Sequence, residues 1–403
     1  MPTILFVQEF GSNYGHIARL VAVAEAMGPC HLVFAVPNPA LAAGPVRHFC
    51  GAEAPIVLAP QFKPSVARVV RTEPDRTLAD VFHALGYADP DALLAAATGW
   101  QDLVAQVRPD LIVSDFAPTL RLAIWDTVPI VVVTGSFSTP PPGKRLPVVL
   151  PNGGPLTATS IRHEDELLAV CQAVRAKLNG PRLHMFGELF GGERVFAATV
   201  PVMDPYHAAR TVPSVSPFPT PTFDEARAFG SRTGPHVFCY LWRSHPAIDV
   251  VVTALNGLAR PSQIHIRGLD PRHVARQCAP QVSVRTNAAD FGKLLPQTRL
   301  FIHYAGAGAS YAGLLAGVAQ VVLPTNLEQE ITAGGLTGTG AALSLAVAPH
   351  ADRAAFRRII EAQLDDPGRE AAALAAAAHH SKARSPDPRP TIVEACRELM
   401  RAR

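Results

Sequence analysis

Apolar residues in this chain fall into two recurring patterns, short unbroken runs and longer stretches with a helical period. Ile4 to Val7, Leu32 to Val36, Leu111 to Ser114 and Ile130 to Thr134 are runs of the kind used by strands buried on both faces. Between them, Gly15 to Met27 places Ile17, Leu20, Val21, Ala24 and Met27 at the spacing of one helix face. Pro39 to Phe49, Asp91 to Val107 and His163 to Leu178 read as further helices. Gln8 to Tyr14 is a loop, Pro60 to Asp80 a polar, proline-dotted loop region, and Thr139 to Pro155 a long surface loop. Val195 to Val200 is the last strand of this half. Strands that alternate with helices predict a βαβ series with a parallel sheet.

Thr211 to Pro235, rich in proline, serine and threonine, has the composition of a linker. A second series follows it, with strands at Val237 to Leu241, Ile264 to Ile266, Val282 to Val284 and Leu300 to His303. A helix over Arg353 to Leu364, a break at Ser385 to Pro390 and an amphipathic helix over Ile392 to Arg401 complete the chain. The expected fold class is α/β, two Rossmann-like, doubly wound parallel-sheet domains facing a central cleft at the carboxyl ends of their strands. The expected boundaries are residues 1–210 for the N-terminal domain, 211–235 for the linker and 236–385 for the C-terminal domain. The final helix, within 386–403, is expected to pack back toward the N-terminal domain.

Length and composition agree with two domains. A chain of 403 residues exceeds what one core ordinarily serves. Hydrophobic content of 48% against 17% charged residues excludes a disordered chain. A net charge of +3 with dispersed arginines argues against nucleic-acid binding. No run reaches the roughly 18 apolar residues of a membrane span, and the first ten residues read as a strand rather than a signal peptide. The six cysteines show no CxxC spacing and read as reduced core thiols of a cytoplasmic protein, not as disulfides or a zinc site.

Chemistry concentrates at the strand ends. Ala305 to Ala309 alternates alanine and glycine after a strand, and helical composition resumes over Ser310 to Ala316. Free N–H groups at such a helix start attract phosphate, although an ordinary strand-to-helix turn has the same composition. His16 follows the loop after the first strand, where a histidine can serve as a general base or simply pack. Asp115 ends the strand LIVS, in position either to orient an imidazole or to cap the next helix. Arg243 and Ser244, with His245, offer donors in the loop after VFCYL, and Glu328 and Gln329 offer acceptors suited to sugar hydroxyls. Asp89 and Asp91 flank a proline before a helix and read as a cap rather than metal ligands, and His379 and His380 read as solvent-exposed. The glycine-rich stretch matches neither the dinucleotide fingerprint nor a P-loop.

Taken together, GHIARLVAVAEAM, DLIVSD, VPVMDPY and the segment from Leu294 to Ala342 resemble the family 1 glycosyltransferases of GT-B fold, particularly bacterial enzymes acting on natural products. Pro296-Gln297, Gly306-Ala307-Gly308, Leu314, Ala316-Gly317-Val318, Gln320, Pro324, Glu328-Gln329 and Gly340 fall on that family's nucleotide-sugar signature. The resemblance implies inverting, metal-independent transfer of a sugar from a UDP- or TDP-sugar to a hydroxyl of a small-molecule acceptor. It implies no cofactor, no nucleic acid and no membrane span, and it leaves the oligomeric state open. His16 would be the base and Asp115 its partner. Glu328 and Gln329 would contact sugar hydroxyls, and Gly306, Ala307, Gly308 and Ser310 would hold the diphosphate. The chain departs from the pattern at Tyr304, where the family has a diphosphate-binding histidine, at Ala309, where it has a hydroxyl residue, and at Ala319, where it has a proline. A tyrosine donates without positive charge, so His303, Ser310 and Arg243, with Ser244 beside it, stand as substitutes. Two other readings share the fold: a non-catalytic nucleotide-sugar-binding auxiliary protein, and a nucleotide-sugar epimerase.

Overall fold

In the computed structural model the described residues are 1–11, 14–65, 75–149, 154–218, 236–287, 289–346, 351–382 and 387–402. The chain opens with β1 (Thr3–Gln8), α1 (Tyr14–Ala26), β2 (His31–Val36), α2 (Pro39–Cys50) and β3 (Ile56–Leu58). Then come α3 (Leu78–Ala84), α4 (Pro90–Val107), β4 (Leu111–Asp115), α5 (Pro118–Ile124), β5 (Ile130–Thr134), α6 (Ala158–Lys177) and β6 (Arg194–Ala197). The second series is β7 (Val237–Trp242), α7 (Ile248–Gly257), β8 (Ser262–Arg267), α8 (Pro271–Ala275), β9 (Val282–Val284) and α9 (Phe291–Leu294). It continues through β10 (Leu300–His303), α10 (Ala307–Leu315), β11 (Ala319–Val322), α11 (Leu327–Gly338), β12 (Ala342–Ser344), α12 (Arg353–Leu364) and α13 (Pro367–Lys382), and the chain closes with α14 (Arg389–Arg401).

The first sheet has the order β3-β2-β1-β4-β5-β6 and the second β12-β11-β10-β7-β8-β9. Every ladder in both is parallel. In a parallel sheet covered by helices a strand has no solvent face, which is why its sequence is an unbroken apolar run. β4 and β5 are buried at every residue. Each sheet reverses its strand order once, between β1 and β4 and between β7 and β10, and ligands of such folds bind outside the carboxyl ends at that reversal.

Two units emerge, and neither is continuous in sequence. The first comprises Met1–Thr199, Pro205–Phe218 and Ser385–Arg403, and the second Val200–Asp204 and Pro219–Arg384. Val200 and Met203 insert among Leu314, Leu336 and Ala373 of the second unit. There Gly335 has no room for a side chain, since a Cβ would meet the Val202 carbonyl oxygen at 1.9 Å. In the first unit α14 packs on α1, burying Ile392, Val393 and Cys396 beside Leu20, Val21 and Ala24. Each fully buried aliphatic side chain of this kind contributes roughly 1.5–3 kcal/mol.

Several local expectations shift. The loop region ending at Asp80 contains the start of α3, closed by a capping box in which Thr77 and Asp80 satisfy each other's backbone N–H groups. Residues 66–74 of that region lie outside the described residues, as do 150–153 of the long loop and 383–386 of the C-terminal break. Within the linker stretch, 219–235 lie outside the described residues, while Val215 bridges Ala198 beside β6. α10 begins at Ala307 rather than Ser310, because Gly306 already takes the N-cap position. All six cysteines are free thiols. No described helix is long and apolar enough to cross a membrane.

Candidate active site

In the first unit the reversal point carries His16 and Asp115. β1 and β4 pair with Gln8 opposite Asp115, so the loop after β1 leaves directly beside the carboxylate. Gln8 Nε2 donates to the Gly11 carbonyl at 2.6 Å, and the Phe10 N–H donates to the Phe116 carbonyl at 3.1 Å, which closes the loop over the strand ends. Gly11 has φ +84° and lies so close to His16 that a Cβ there would stand 2.2 Å from the imidazole Nε2. The first turn of α1 then presents His16, whose Nδ1 lies 2.9 Å from Asp115 Oδ1. Asp115 is fully buried. Burial alone would raise its carboxyl, but the Arg19 and His16 charges and hydrogen bonds hold it down at about 2.

Arg19 is the residue that the sequence reading missed. Its Nε donates to Asp115 Oδ2 at 2.9 Å, and its Nη2 lies 3.0 Å from His16 Nδ1. The available signal was its position three residues after His16, on the same helix face. Glu9 is the other carboxyl at this edge. Burial pushes it up to about 8, and its Oε2 accepts from the Thr119 N–H at 2.9 Å, so at neutral pH it is an uncharged acid bonded to the first turn of α5. Half-buried Phe10, Phe62 and Phe116 pack with buried Phe82 and Tyr87 as an aromatic group around the residues that follow β1 and β4. Phe116 follows Asp115 directly and adopts φ +55°.

In the second unit the reversal point carries the glycine-rich turn. Ala305 sits at φ +60° and Gly306 caps α10 without a side-chain bond. Ala307 and Gly308 are exposed, and their backbone N–H groups belong to the first turn of α10, where a helix offers no internal acceptor. The first bond within this turn is Ser310 N–H to the Gly306 carbonyl, at 2.9 Å. The Tyr304 ring lies against Gly306 and packs edge-on to Trp242, with ring centroids 4.7 Å apart. Tyr304 is buried, and burial together with the neighbouring, hydrogen-bonded Tyr240 raises its hydroxyl further above its usual range, so it stays protonated. Arg243 and Ser244 are exposed on the turn after β7, and the Arg243 N–H donates to the Arg267 carbonyl at 2.9 Å. Glu328 is exposed in the first turn of α11. Gln329 is buried, and its Oε1 accepts from the Thr325 N–H at 2.8 Å and from the Thr325 hydroxyl at 3.0 Å, which leaves the amide NH₂ as the group for a ligand.

Two of the expected donor-binding residues are not where a ligand could touch them. His303 is fully buried. Its Nε2 donates to Gln320 Oε1 at 2.9 Å, and its Nδ1 accepts from the Ala305 N–H at 3.2 Å. Burial pushes it down to about 4, against the raising effect of Gln320, so it brings no positive charge at neutral pH. It anchors the turn instead. Ser310 also faces inward and is fully buried, because α10 turns this position toward the core. His245 is likewise committed, with Nε2 donating to the Leu323 carbonyl at 3.0 Å. Among the described residues no group of histidine, cysteine and carboxylate side chains could hold a metal ion.

Two parallel sheets of this order define the GT-B class of fold. The resemblance to family 1 glycosyltransferases is borne out with it. Residues 269–399 match the family described as Erythromycin biosynthesis protein CIII-like, C-terminal domain. Among solved structures, the calicheamicin glycosyltransferase CalG4 superimposes with a TM-score of 0.66 at 17% identity, covering 99% of this chain and 98% of its own. The spinosyn rhamnosyltransferase SpnG complexed with thymidine diphosphate gives 0.64 at 18% identity, covering 97% and 99%. The glycosyltransferase SnogD from Streptomyces nogalater gives 0.59 at 18% identity, covering 99% and 100%. A search of the curated proteins found no match.

Proposed function

We propose that this protein is an inverting, metal-independent glycosyltransferase that moves a sugar from a nucleoside diphosphate to a hydroxyl of a small natural-product acceptor. The observation that carries the reading is the 2.9 Å contact between His16 and a buried, ionised Asp115 at the strand reversal of the first sheet. With Nδ1–H donated to Asp115, His16 Nε2 accepts the proton of the acceptor hydroxyl. The acceptor oxygen bonds to the anomeric carbon from the face opposite the diphosphate, and the bond from that carbon to the diphosphate oxygen breaks. Asp115 balances the charge gained by the imidazole. The first-turn N–H groups of exposed Ala307 and Gly308 take up charge on the leaving diphosphate, with exposed Arg243 as a further donor. Glu328 and the Gln329 amide are suited to the sugar hydroxyls. No step in this scheme calls for a metal.

A TDP-sugar is the first donor to try, because SpnG was solved with thymidine diphosphate. General-base catalysis typically supplies a factor of about 10² to 10⁴. His16→Ala is therefore expected to lose transfer by about that factor while binding TDP or UDP as tightly as the parent in calorimetric titration. Unchanged turnover in His16→Ala would remove the base assignment. Conversion of the donor sugar without any acceptor would instead favour epimerisation.

A further inference from the structure

The scheme above leaves Arg19 without a task, yet its guanidinium is the third member of the His16–Asp115 group. Nε donates to Asp115 Oδ2 at 2.9 Å, while Nη2 stands 3.0 Å from His16 Nδ1, the same nitrogen that Asp115 Oδ1 approaches at 2.9 Å. A guanidinium offers only donors and a carboxylate only acceptors. Nδ1 therefore cannot satisfy both neighbours at once. If Nδ1 carries the proton, it donates to Asp115 and meets Arg19 donor to donor. Nε2 is then bare and can act as a base. If Nε2 carries the proton, Nδ1 accepts from Arg19 and faces the carboxylate lone pair to lone pair. His16 then has no basic nitrogen for an acceptor hydroxyl.

Both arrangements contain one charge-assisted bond and one repulsive contact, so the contacts around Nδ1 are balanced between the two tautomers. The Arg19–Asp115 ion pair is common to the two and does not decide between them. Glu9, one residue beyond β1, accepts from the Thr119 N–H and does not enter. We infer that Arg19 is a positioning residue that contests Nδ1 with Asp115 and so holds part of the resting His16 population in the tautomer that cannot act as a base. Arg19 is the most exposed member of the group, with 16% of its side chain accessible against 10% for His16 and none for Asp115.

The inference rests on His16 as the base, but its test does not need turnover. With ¹⁵N-labelled histidine and His16→Gln to assign the signals, the ring nitrogens of His16 at pH 8 report the tautomer directly. Wild-type shifts are expected between those of the two tautomers. In Arg19→Met they should move to the pure Nδ1–H form. Arg19→Lys keeps the charge but lacks the fork that spans Asp115 and Nδ1, so it should move the same way, and it serves if the methionine variant does not fold. If the competent tautomer is about half of the resting population, kcat/KM in Arg19→Met should rise about twofold. A wild-type His16 already wholly Nδ1–H, or shifts that Arg19→Met leaves unchanged, would overturn the inference. So would a fall in kcat with the Nδ1–H form retained, because Arg19 would then only anchor Asp115. A protein without transfer activity in any variant would overturn the proposed function and leave the ring shifts to decide the role of Arg19.

Discussion

Exchange of Asp115 for asparagine removes one charge from the first unit while keeping the shape of the side chain. Asp115 is fully buried, and its carboxyl sits at about 2 against an ordinary 3.8. A depression of that size corresponds to roughly 2 kcal/mol of folding stability. The folded-state value lies below the unfolded one, so this contribution is complete above about pH 5 and is lost as pH falls through about 2. About half of it is gone by pH 3. The substitution Asp115→Asn would also leave the Arg19 guanidinium without its counter-charge. Breaking a buried pair costs on the order of 3–5 kcal/mol, and the partial exposure of Arg19 favours the lower end. At pH 6 the variant should therefore be about 3 kcal/mol less stable than the parent in urea unfolding, with the gap narrowing by roughly 1 kcal/mol at pH 3. The amide also cannot hold the Nδ1–H form of His16 as the carboxylate does, so kcat should fall by about 10² to 10⁴ with nucleotide affinity retained. An equal gap at pH 6 and pH 3 would refute the electrostatic account, and unchanged kcat would refute the pairing with His16.

Gly11→Ala should displace the imidazole, because the residue has φ +84° and its Cβ would stand 2.2 Å from Nε2; kcat should drop at least about tenfold with donor KM unchanged, and equal kcat would show that the loop yields. His303 takes up its proton near pH 4 when folded and near 6.5 when unfolded, so stability falls as pH drops from 6.5 toward 4. Between pH 7 and 5 the second unit should lose roughly 2 kcal/mol that His303→Gln does not lose, measured by urea unfolding at the two values. Parallel pH slopes for the two proteins would count against a buried neutral His303.

How far the sequence could be read depended on which physical rule governed each residue. The strands from Ile4 and Ile130 and from Val237 and Leu300 were legible because a strand buried on both faces has no polar alternation to obscure it. His16 and Asp115 could be placed at one sheet edge because parallel strands all end on the same side. That they meet at 2.9 Å is a fact of register, with Gln8 opposite Asp115. Helix starts were less legible. A run of small residues such as Ala305 to Ala309 does not say which residue takes the N-cap, and Gly306 does.

Local pattern in this chain therefore determined the parallel α/β architecture and the loops that carry its chemistry, since both follow from periodicity and from the direction of parallel strands. Tertiary structure decided the direction and company of individual side chains. It turned His303 to Gln320 and Ser310 into the core, drew Arg19 into the His16–Asp115 group, and joined Val200–Asp204 to the second unit. Each of these depends on which neighbour, distant in sequence, fills the space or satisfies the charge. Only the packed chain supplies that neighbour.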